Sequence, residues 1–130
     1  TSRQETTRRI AERADLLLAT FSAEPVGINR FLFDLQEIDR DLMLIANRVG
    51  AKSFGKSPTH QLAETIGHFT PMKIRAALPN DPSSCEASIC QARPLMLESP
   101  NAKLTLAVRT LACEIVDDWA ARINSERGET

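Results

Sequence analysis

Eight consecutive residues, Gly50-Ala51-Lys52-Ser53-Phe54-Gly55-Lys56-Ser57, satisfy the pattern G-x-x-x-x-G-K-[ST]. In a phosphate-binding loop of this kind, backbone N–H groups surround phosphate oxygens that bulkier residues would keep away. Lys56 would reach the β and γ oxygens and Ser57 would hold magnesium. Gly50, Gly55, Lys56 and Ser57 are therefore the nucleotide-binding candidates. The chemistry requires a strand before the loop and a helix after it. The preceding residues read instead as an apolar-striped helix ending in polar Asn47 and Arg48, and Pro58 removes an N–H where the next helix opens. On this reading the loop is a capped helix end with two solvated lysines, and nucleotide binding ranks third among the functions.

A second pattern follows directly. Gln61-Leu62-Ala63-Glu64-Thr65-Ile66-Gly67 resembles the first helix and turn of a helix-turn-helix: Ala63 permits close packing and Gly67 permits a positive φ. Residues 70–78 would then be the recognition helix, with Thr70, Lys73 and Arg75 as the DNA-binding candidates. Between Lys52 and Leu78 four basic residues face one acidic residue, Glu64, a local excess that could serve phosphate contacts. The apolar anchor Ile74 falls one position later than the motif places it, and Pro71 shortens the second helix. DNA binding is accordingly the alternative function.

The remaining chemistry-bearing residues form no constellation. Pro71 stands three residues after His68, where a histidine phosphotransfer domain carries lysine. His60 and His68 lack a partner at metal-ligand spacing. Cys85 and Cys90 lie roughly 140° apart around a helix and cannot share a metal. With Cys113 they read as small buried apolar residues. The acidic residues Glu37, Asp39, Asp41, Glu114, Asp117 and Asp118 come without a Glu-x-x-His element and read as solvated faces. No catalytic residue, metal or cofactor is expected.

The elements that must hold these residues read as helices. Ile28, Phe31, Leu35, Ile38, Leu42, Ile45 and Val49 follow one another at steps of three or four, one seam of a helix of about 22 residues that stops at Gly50. Phe33, Met43 and Leu44 lie on its other faces. That excess of apolar surface marks them as interaction residues, for a partner chain or for a homodimer through helix two. Helix one spans about Ser2 to Ala23 and ends at Glu24-Pro25. Ser57-Pro58, Thr70-Pro71 and Ser99-Pro100 read as helix starts, because the hydroxyl caps free N–H groups and proline has none to leave unpaired. They open helix three, a short helix from Pro71 to Leu78 and a long C-terminal helix from Pro100 to about Asn124. A loop at Asn80 to Ser83 and a weak helix from Ser84 to Arg93 lie between the last two. No stretch alternates with period two for long enough to argue a sheet. The expected fold is all-α, a compact single-domain bundle of five or six helices over residues 1–130.

Composition bounds the rest. With 130 residues, 42% hydrophobic and 25% charged, the chain can bury a core and reads as soluble and globular. A formal net charge of −1 excludes a strongly basic nucleic-acid or membrane-surface binder. No apolar run approaches the roughly 18 to 20 residues of a membrane span. Three irregularly spaced cysteines and the lack of a visible secretory signal point to a reducing, cytoplasmic setting. The sequence therefore favours a non-catalytic helical protein–protein interaction or regulatory module.

Overall fold

The computed structural model describes residues 3–36, 38, 40–50 and 58–128. It corrects the fold class. The chain is mixed α/β, built on a three-stranded sheet of order β1-β2-β3 in which both pairings are parallel. The elements run α1 (Arg3–Arg13), β1 (Leu18–Ser22), α2 (Pro25–Leu35), β2 (Met43–Val49), α3 (Pro58–Gly67), β3 (Ile74–Pro79), α4 (Pro82–Cys90), α5 (Leu95–Glu98) and α6 (Lys103–Glu126). They fall into two compact units, Thr1–Asn80 and Asp81–Thr130.

The expected second helix is the clearest departure. Its first half is α2; its second half is β2, the central strand. The stripe breaks after Leu35, and the chain resumes as Leu42-Met43-Leu44-Ile45-Ala46. Leu44, Ile45 and Ala46 are all buried, although neighbouring strand residues point to opposite faces. A parallel strand between two others is covered on both sides and reads as an unbroken apolar run, without alternation. The same run at Leu16 to Ala19 leads into β1, inside the stretch expected as helix one. The short helix expected from Pro71 is β3.

Register fixes the layers. Ala19 pairs with Leu44 and Phe21 with Ala46. This places Ala19, Phe21, Leu44 and Ala46 on one face, where they pack with Ile28 of α2 and with Leu62 and Ile66 of α3. Both crossover helices lie on that face, as successive right-handed connections stepping one way across a sheet require. Phe21 of β1 stacks on Phe31 of α2 with ring centroids 4.6 Å apart. At the start of α2, Gly27 lies so close to β1 that an added Cβ would stand 2.6 Å from the Ser22 carbonyl oxygen. Only glycine permits that approach.

The unit from Asp81 onward is helical. Asp81 caps α4 by accepting the Ser84 N–H at 3.1 Å. In α6 the buried residues are Leu104, Thr105 and Leu111, and the Thr105 hydroxyl donates to the Ser99 carbonyl at 2.6 Å. Among the described residues no helix is long and apolar enough to cross a membrane.

Candidate functional site at the carboxyl ends of the strands

In an open parallel sheet the strands all deliver their carboxyl ends to one edge, and the connections that leave that edge surround a crevice. Here the edge is formed by Ser22 and Ala23 at the end of β1, by Asn47 to Gly50 at the end of β2, and by Pro79 and Asn80 at the end of β3. Hydrogen bonds tie the three ends together. The Ala23 N–H donates to the Asn47 carbonyl at 2.9 Å, and the Asn80 N–H donates to the Val49 carbonyl at 3.1 Å. An ideal Cβ on Gly50 would lie 4.0 Å from that of Asn80.

The centre of this edge is distorted. The pairing of β2 with β3 shifts between Ala46 and Val49, and Arg48 takes a φ of 58°. A side chain in the left-handed region costs of order 1–3 kcal/mol, and such residues gather at binding and catalytic sites. The Asn47 carboxamide oxygen accepts the Arg48 N–H at 3.0 Å, holding the kink from inside. That leaves the Asn47 NH2 group without a partner among the described residues. Arg48 is exposed, and its guanidinium has no ion-pair partner among the described residues. The edge therefore offers a cation and an amide donor on a backbone already bent.

The loop that leaves this edge carries the G-x-x-x-x-G-K-S pattern. Gly50 is the first residue after β2, and Pro58 is the first of α3. Gly55, Lys56 and Ser57 lie outside the described residues. The objection from sequence, that a helix precedes the loop, is removed: a strand stands there. One departure persists, because α3 opens with Pro58 immediately after Ser57.

The other expected sites are placed differently. Thr70 is buried, and its hydroxyl oxygen accepts the Met72 N–H at 3.3 Å, so it closes a turn. Lys73 precedes β3 and Arg75 lies within it; both are exposed, but no recognition helix carries them. Gly67 ends α3 without the positive φ of a helix-turn-helix turn. Of the interaction candidates, Leu44 is 0% exposed in the core, Met43 is half-buried in β2, and Phe33 stands 66% exposed on α2. At the opposite, amino-terminal edge of the sheet, Leu32, Leu35, Gln36, Phe69, Thr70 and Met72 line a groove of about 250 Å³. Cys85, Cys90 and Cys113, expected to be buried, are exposed free thiols. Among the described residues no three His, Cys, Asp or Glu side chains gather as a metal site.

Sequence reasoning passed over Asn47 and Arg48 as site residues. The signal was present: two polar residues that interrupt an apolar run just before Val49 and Gly50, where a buried strand reaches its carboxyl end. The fold and this edge define the chain as an open parallel α/β protein. No protein-family model matches it, and no curated protein is found to match it.

Proposed function

We propose that this chain binds a nucleotide at the carboxyl edge of its parallel sheet. The observation that carries the reading is the order of elements around residues 50–57: the central parallel strand before them and a helix after them, the context that a phosphate loop requires. Two further features support it. Ligands of open α/β sheets collect in the crevice outside the strand carboxyl ends. The strained Arg48 places there a cation without an ion-pair partner among the described residues, next to an Asn47 amide whose NH2 has none among them either. In this reading Lys56 and the loop N–H groups hold phosphate oxygens, and Arg48 supplies a second positive charge from the end of β2.

Titration with magnesium and ATP, ADP or GTP, followed by thermal unfolding, tests the reading. Ligand at one hundred times its dissociation constant stabilises the folded form by about 2.7 kcal/mol, a rise of several degrees in midpoint. Lys56→Ala should abolish the shift and Arg48→Ala should reduce it. A wild-type midpoint that none of the three nucleotides moves ends the proposal. Binding that survives Lys56→Ala but fails in Arg48→Ala would assign the ligand to the strand ends and remove the loop from the site.

A further inference from the structure

The groove at the amino-terminal edge of the sheet offers chemistry of its own. The end of α2 supplies Leu32, Leu35 and Gln36, and the turn between α3 and β3 supplies Phe69, Thr70 and Met72. All six belong to the unit that holds the sheet. None is charged. Phe69 is 68% exposed, so an aromatic ring stands in water beside the concave apolar surface.

Thr70 is the buried polar residue among them, 6% exposed. Its hydroxyl oxygen accepts the Met72 N–H at 3.3 Å, while its hydroxyl proton has no acceptor among the described residues. A hydroxyl carries one donor, and a buried donor left unbonded is unfavourable. The turn uses Thr70 as an acceptor, and what stays unmet is its donor. The Gln36 carboxamide, exposed at the C-cap of α2, has no side-chain partner among the described residues either. The groove brings apolar walls and unmet donors, and the acceptor must come from outside.

We propose that this groove binds a small uncharged aromatic or cyclic carbonyl compound, whose oxygen accepts the Thr70 hydroxyl proton. The class follows from size, lining and charge. A dry cavity of roughly 150 Å³ lined by Leu, Ile and Phe holds benzene. The groove, at about 250 Å³, holds a ring with a short substituent. Leu32, Leu35, Phe69 and Met72 favour a ring, because aromatic pairs and sulfur–ring contacts add to the burial of apolar area. An ionised ligand would lose its hydration against walls that hold no counter-charge. The site lies at the sheet edge opposite the proposed nucleotide site and does not depend on it.

NMR titration with acetophenone tests this, beside ethylbenzene, which has the same shape without the oxygen. Acetophenone at about ten times a millimolar dissociation constant should shift the signals of Phe69, Thr70 and Met72 to saturation. Thr70→Val keeps the shape of the side chain and removes the donor. The ratio of acetophenone to ethylbenzene affinity should then fall roughly three- to tenfold, and Thr70→Ser should restore it. Phe69→Ala, at an exposed position, should weaken both compounds. Should Thr70→Val fail to fold, intermolecular contacts in the wild-type complex decide, with the ketone methyl expected against Thr70. A wild-type chain whose groove signals show no saturable shift overturns the proposal. So does an affinity ratio that Thr70→Val leaves unchanged, a Phe69→Ala chain that binds both compounds as well as wild type, or a bound ketone that points away from Thr70.

Discussion

Leu44 and Phe33 show how far two similar apolar side chains can differ once the backbone is placed. Both look like surplus surface on one helix when only spacing is considered. Leu44 sits in the middle of the central strand with no exposure, packed among the cluster that includes Phe21, Ile28 and Leu62. Phe33 stands on the outer side of α2. Truncating Leu44 to alanine removes buried methyl groups and opens a cavity, which should cost about 2–5 kcal/mol. Phe33→Ser should fall within about 0.5 kcal/mol of wild type. Urea unfolding of the two variants measures the difference. Equal effects would contradict the placement of β2.

At the scale of elements, Asp81 makes a helix pH-sensitive. Hydrogen bonds from Ser84, through its side chain and its backbone N–H, hold the Asp81 carboxyl below its ordinary value of 3.8; slight desolvation opposes them, and the Ser83 hydroxyl adds to them. A carboxyl whose value is lower in the folded state stabilises the fold above its ordinary value, and that contribution is lost as pH falls through the lowered one. Acid titration from about pH 5 downward, followed by helical circular dichroism, should show α4 loosening at the acid end. Asp81→Asn keeps a capping oxygen without a titrating proton and should flatten that step. The proline dipeptides were legible only in part: Pro58 opens α3 and the C-terminal helix starts three residues after Pro100, but its N-cap is Ala102 with no side-chain bond, and Thr70-Pro71 leads into β3. The strands were not legible. Leu44 to Ala46 is a short apolar run, and with both faces of the central parallel strand covered the period that marks a strand disappears; β1 alternates in burial, but Leu18 and Ala19 are both apolar, so its sequence hides the alternation. The seam from Ile28 to Val49 then joined a real helix to a real strand, because steps of three and four happened to continue across the residues between Leu35 and Met43. The candidate loop is readable as a pattern, whereas the strand before it is hidden for the same reason.

Across the whole molecule burial is uneven. Residues up to Asn80 contain nearly all of the large buried side chains, whereas α6 buries nothing after Leu111 and leaves Val116 65% exposed. Local opening free energies follow buried contacts. Amides of α6 beyond Leu111 should therefore exchange at least about tenfold faster than those of β2, an equilibrium difference of roughly 1.4 kcal/mol or more. Mass-spectrometric hydrogen exchange on peptides from the two segments checks this. Equal protection would mean that the terminal helix is held by more than its own unit provides.

One small fastening has a consequence for the order of events. The Arg40 guanidinium donates to the carbonyl oxygens of Ala11 and Ala14, beyond the sheet's first strand and first crossover in the chain. In α1 itself Ala11 is buried and Ile10 faces solvent. Closing that span of nearly thirty residues has an entropic cost that local contacts in α1 do not share. The first helix of these residues to be synthesised is thus one whose anchor, Arg40, is made only after β1 and α2, two elements further along the chain.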